Sequence, residues 1–174
     1  MKGIALLLAG VVAVFGAIGS TSPRLGNADG RTAPIYPTIM PSGYRDWKLV
    51  SVAHEEGDIN DIRAILANDV GIKAYRERKL PFPEGTILAR LAWRYDESKE
   101  NDKVFGRQQS FVAGPAKGGV QFMVKDLRKY ASTGGWGFAQ FDDGKLVGDA
   151  KLQTCFSCHQ ANKAHDLVFT NYAP

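Results

Sequence analysis

Residues Pro83–Tyr95 read PEGTILARLAWRY. Pro, Glu and Gly make a turn, and the apolar, partly branched run behind them is a strong strand. The polar stretch DESKENDK (Asp96–Lys103) suits a hairpin tip, and VFGRQQSFVAG (Val104–Gly114) reads as the returning strand. GPAKGG is another turn, followed by a strand at GVQFMV and a short helix at DLRKYAS begun by Asp126. GGWGFAQF (Gly134–Phe141) has aromatics at alternate positions and stops at the Asp143-Gly144 turn. Working back from Pro83, WKLVSVA (Trp47–Ala53) is a first strand. From Asp58 the period lengthens: Ile59, Ile62, Leu66 and Val70 fall on one helical face, and Pro81 and Pro83 forbid continuation past Leu80. The expected fold is α+β, a single domain with an antiparallel sheet of four to six strands flanked by helices.

Composition is that of an ordinary globular domain, with 44% hydrophobic and 23% charged residues in 174. The formal charge of +4 is scattered among acids, so no nucleic-acid stripe appears. Residues 1–20 carry one early Lys and then an apolar run of small and branched residues, the pattern of a cleaved export signal. The run is shorter than the ~20 residues that a bilayer span requires. The expectation is a periplasmic protein without a membrane anchor after cleavage. Residues 21–43 are rich in Pro, Gly and Ser and read as an extended leader or linker, so the folded domain is expected over 44–174.

The chemistry is concentrated in TCFSCHQ (Thr154–Gln160), which contains Cys155-x-x-Cys158-His159. This is the pattern of c-type haem attachment. Two thiols three positions apart each add to one vinyl group of a porphyrin, and the following imidazole becomes the proximal iron ligand. The chain has only these two Cys, so one motif means one covalent haem c near the C-terminus. A thioredoxin-like pair needs a βαβ unit for which the last twenty residues leave no room. A structural zinc would need further ligands, and the other histidines are only His54 and His165. A disulfide across two residues is geometrically tight.

For the other face of the iron, His165 follows His159 by six residues, about 9 Å along a helix axis, too close to reach around the porphyrin. It reads as a surface or propionate-contacting residue, and His54 as an ordinary hydrogen-bonded histidine. Met40 and Met123 are the thioethers left after cleavage. Met123 sits in a strand, where it either packs in the core or serves as a distal ligand. The default expectation is an open or water-filled distal position. Trp136, Phe138, Phe141, Phe111 and Phe122 are candidates to wall the haem or simply to pack.

GYRDWKLVSVA (Gly43–Ala53), PEGTILARL (Pro83–Leu91), VKDLRKYASTGGWGFAQF (Val124–Phe141) and TCFSCHQANKAHDLVFTNYAP (Thr154–Pro174) together resemble the cytochrome P-460 family, which includes the cytochromes c′-β. The resemblance runs from about Tyr44 to the end. It implies an exported c-type haem protein on a curved antiparallel sheet with packed helices, usually a homodimer. It also implies chemistry on small nitrogen species, either hydroxylamine oxidation or nitric oxide binding. In the hydroxylamine-oxidising members, a lysine in the strand after the EGT-like turn bonds to the porphyrin edge; the corresponding position here is Arg90. A guanidinium stays protonated and is a poor nucleophile, so that cross-link should not form. If Arg90 faces the haem, strand parity puts Leu88 and Ala92 beside it and turns Ala89, Leu91 and Trp93 away. Arg90 then hydrogen-bonds a propionate or an anionic ligand, or merely packs its stem and extends its head to water. The favoured function is electron transfer with an unknown redox partner, or nitric oxide binding. The alternative is an oxidoreductase acting on hydroxylamine or a related compound, with Glu84, Asp142, Asp143 and Asp149 as unselected acids for a proton acceptor.

Overall fold

Asn68 separates two elements that the apolar spacing joins into one. In the computed structural model, which describes residues 36–173, strand β2 (Asp61–Ala67) ends before it and helix α1 (Asp69–Arg76) starts after it. Its side-chain Oδ1 accepts from the Gly71 N–H at 3.0 Å, an N-cap that satisfies one of the first-turn donors. The same oxygen accepts from the Ile87 N–H at 3.1 Å, and its Nδ2 donates to the Gly85 carbonyl at 2.9 Å. The helix expected from Asp58 is therefore a strand followed by a short helix. Ile62 and Leu66 lie in the strand, Val70 in the helix, and Ile59 in the loop before both. The strand is buried on both faces, so its sequence lacks the alternation that would have marked it.

Six antiparallel strands follow one another across one open sheet in chain order: β1 (Lys48–Glu55), β2, β3 (Ile87–Glu97), β4 (Phe111–Lys125), β5 (Trp136–Asp142) and β6 (Lys145–Leu146). The register pairs Ile65 with Arg90, Arg90 with Gln121 and Gln121 with Gln140 across four strands. β4 is longer than expected. The GPAKGG segment lies inside it, where register shifts opposite Leu91–Tyr95 absorb extra residues as bulges. Val104 and Phe105 belong to helix α2 (Lys99–Phe105), which fills the hairpin tip between β3 and β4. DLRKYAS forms a turn ending in a 3-10 segment at Ala131–Thr133. The Asp143-Gly144 turn is present, with φ of 48° and 75°. Helix α3 (Asp149–His159) and a 3-10 segment (Gln160–His165) follow.

The sheet buries side chains on both faces. Leu66, Ala89, Leu91, Val120, Phe122 and Phe141 form one cluster, against which Met40, Tyr44 and Trp47 pack. Ile65, Leu88, Trp136 and Phe138 join Ile72, Tyr75 and Phe82 on the other face, beneath α1, α3 and the C-terminal segment. The second cluster borders the candidate site. The expected signal at 1–20 and the leader up to residue 35 lie outside the described residues. Among the described residues, no helix is long and apolar enough to cross a membrane.

Candidate functional site

Positions i, i+3 and i+4 share one face of a helix, so Cys155, Cys158 and His159 stand together on the last turns of α3. One helical turn earlier, Leu152 is buried at 2% exposure and seats the helix on the sheet. Cys155, Cys158 and His159 all open onto one cavity of about 590 Å³, within the range of small-molecule and cofactor sites. Leu88, Met123 and Phe138 form part of its apolar floor. Cross-strand pairing explains this, since Met123 lies opposite Leu88 on one side and Phe138 on the other.

His159 is held in a defined orientation. Its Nδ1–H donates to the Leu167 carbonyl at 2.6 Å, which leaves the Nε2 lone pair available to a metal. The Phe138 ring lies 4.9 Å from the imidazole and the Phe169 ring 5.0 Å. Burial lowers the pKa of His159, partly offset by that hydrogen bond, and so favours the neutral ring. Burial raises the Cys155 thiol pKa, with the neighbouring Cys158 adding to the effect.

The acceptor carbonyl of Leu167 is itself braced. Asp166 and Leu167 both have positive φ, 51° and 66°, an unusual backbone for a bulky Leu. The buried Lys125 ammonium donates to both Asp166 carboxylate oxygens at 2.8 and 2.9 Å, and Asp166 Oδ2 also accepts from the Phe82 N–H at 2.8 Å. These contacts tie the turn that carries Leu167 to β4 and to the segment before β3.

The opposite character appears on the β1–β3 side of the same cavity. Glu55, Arg63, Arg90 and Gln121 all line it. Asp61, 2% exposed, accepts from Arg63 at 2.8 and 3.0 Å through Oδ1 and from Arg90 through Oδ2. Arg90 also donates to Gln121 Oε1 at 3.2 Å, and Arg63 pairs with Glu55. Burial lowers the Arg90 pKa, aided by the nearby Arg63 charge, while Asp61 opposes the shift. The cavity thus has a thiol and imidazole edge, an apolar floor and a hydrogen-bonded polar wall.

The five residues selected from sequence, Cys155, Cys158, His159, Arg90 and Met123, meet in this one cavity. Strand parity holds in part: Leu88 lines the cavity with Arg90, and Leu91 packs in the cluster on the other face with Trp93 against it, but Ala92 does not reach the cavity and Ala89 borders both. Met40 also packs on that other face. His54 stacks on Tyr95 at 3.9 Å and bonds Asn60, away from the cavity. Of the aromatic candidates, Phe138 and Phe122 border the cavity, Phe122 from the cluster on the other face. Phe122 and Phe141 contact each other on the opposite face, Trp136 is buried against Phe82, and Phe111 stacks on Tyr95. None of Glu84, Asp142, Asp143 and Asp149 lines the cavity. Glu55, Asp61, Arg63 and Gln121 were missed, because the first three depend on β2 being a strand paired with β1. The signal for them was the cluster of charges bracketing DIRAILA.

Two thiols and an oriented imidazole lone pair on one edge of an apolar-floored cavity fit a porphyrin attached through thioethers and ligated by His. No curated protein matches the chain. A family profile described as cytochrome P460 matches residues 41–170, which takes in the six strands and three α-helices of the described residues and the whole cavity. The chain belongs to the cytochrome P460 family, and with it to the haem-binding cytochromes.

Proposed function

We propose that the chain is an exported, mono-haem c-type cytochrome that binds nitric oxide or transfers electrons. In this reading Cys155 and Cys158 hold the haem by thioethers and His159 Nε2 is the proximal ligand. The carrying observation is that these three groups open onto one cofactor-sized cavity, with the imidazole turned by its bond to Leu167. When bound, the haem supplies a one-electron iron couple and a position for a small ligand. The protein does the rest. The Leu167 carbonyl fixes the His159 tautomer, Phe138 and Phe169 confine the ring, and Leu88 and Met123 keep the floor apolar. Met123 lines the same cavity, and its thioether would be a further candidate to hold the iron.

Protein made in a cell competent in cytochrome maturation should carry one haem that survives acid–acetone extraction, and Cys155→Ser with Cys158→Ser should abolish that retention. A colourless product of unmodified mass would refute the reading. Addition of nitric oxide to the reduced protein should change its Soret band.

A second reading, oxidation of hydroxylamine or a related small nitrogen compound, is favoured by the polar wall. Glu55 offers a carboxylate, and Arg63 and Arg90 offer fixed donors, in the same cavity as His159. Multiple turnovers of hydroxylamine oxidation with an added one-electron acceptor such as ferricyanide to reoxidise the haem, slowed at least tenfold by Glu55→Gln, would establish it. A single stoichiometric reduction would leave the binding role.

A further inference from the structure

Helix α1 ends in a way that its backbone does not favour. The Lys79 N–H donates to the Ala74 carbonyl at 2.9 Å and the Arg78 N–H to the Tyr75 carbonyl at 3.1 Å, the paired bonds of a Schellman cap. The residue at the left-handed position of such a cap is usually Gly, yet here it is Arg78 with φ of 53°. Its side chain lines a second cavity, of about 410 Å³, together with those of Arg76, Lys79 and His165. Among the described residues none of Arg76, Arg78 and Lys79 forms an ion pair, and no carboxylate lines this cavity.

Behind the cations the lining is largely apolar. Tyr75 lines the cavity and is only 8% exposed, and among the described residues its buried hydroxyl has no hydrogen-bond partner. That hydroxyl is enclosed by protein, so other atoms of Tyr75 form its part of the lining. Around it are Ala74, Leu80, Phe82 and Val168, an apolar lining that inorganic ions do not need.

We propose that this second cavity binds a small organic anion. Its carboxylate or phosphate head would be held by Arg76, Arg78 and Lys79, and its apolar body would rest on Leu80, Phe82 and Val168. Guanidinium forks match oxyanion heads. At this glycine-favouring position Arg78 adds positive charge to the cavity lining. The site is distinct from the cavity holding His159 and shares with it only the chain segment around Val168 and Thr170.

The test is calorimetric titration of the full holoprotein with phenyl phosphate and with benzoate, at constant ionic strength. Inorganic phosphate serves as the head alone and benzyl alcohol as the body alone. Saturable binding of phenyl phosphate or benzoate, at least fivefold tighter than either fragment, is expected, and the stronger of the two identifies the head. Arg78→Gly should weaken binding about tenfold or more while keeping or raising thermal stability, since Gly suits that backbone. Absence of saturable binding by both aromatic anions at millimolar concentration, or equal affinity in Arg78→Gly, would overturn the proposal.

Discussion

Asp61 places both carboxylate oxygens against guanidinium groups, Oδ1 on Arg63 and Oδ2 on Arg90, while being almost wholly buried. Two cations in the cavity wall therefore share one anion, with Glu55 balancing the outer side of Arg63. Removing the buried member of such a set leaves like charges facing each other without compensation. Asp61→Asn should cost about 3 kcal/mol in urea unfolding of the holoprotein. Tyr75 gives a prediction of the opposite kind. Burial alone raises its pKa far above the usual tyrosine value. Above about pH 10 the unfolded chain has lost this proton while the folded protein keeps it, so stability falls as pH rises. Between about pH 10 and 12, wild type should lose about 1.4 kcal/mol more per pH unit than Tyr75→Phe, measured by denaturant melts. At neutral pH and without a ligand, Tyr75→Phe should be the more stable protein, because it lacks the unpartnered hydroxyl.

Among the elements, the joint between β2, α1 and β3 depends on one side chain. Asn68 caps α1, accepts from the first amide of β3 and donates to the turn before it. Asn68→Ala should cost about 2 kcal/mol by thermal or urea melts, more than a simple cap, because the Ile87 amide and the Gly85 carbonyl also lose a partner. This same joint explains what sequence could and could not reveal. β3 and β5 were legible because each is a long apolar or aromatic run between clear turns. β2 was not, since Ile62, Leu66 and Val70 keep a helical spacing while both strand faces are buried. The gathering of Cys155, Cys158 and His159 on one helix face was legible because the three are near neighbours in the chain. The polar wall was not, because Glu55, Asp61 and Arg90 meet only through strand pairing. The Leu167 carbonyl that turns His159 is a backbone atom, invisible to any motif.

At the scale of the molecule, every strand of the sheet pairs with its neighbours in sequence, so pairing requires only local chain closure. The cluster under Met40, Tyr44 and Trp47 lies across the sheet from the cavity that His159 lines. It should therefore survive loss of the cofactor. In the Cys155→Ser, Cys158→Ser protein, hydrogen exchange should leave β4 and β5 amides protected while α3 and the segment after it exchange at least tenfold faster. Uniform loss of protection would show instead that the sheet needs the haem. The final residues work like the buckle of a belt. The Ala173 N–H fastens to the Val50 carbonyl at 2.9 Å, on the outer strand β1, after the chain has passed Leu167 and both cavities. A purification handle fused there, or trimming behind Thr170, would slacken the strap that aims the imidazole, so colour and midpoint potential should register such tailoring before the melting curve does.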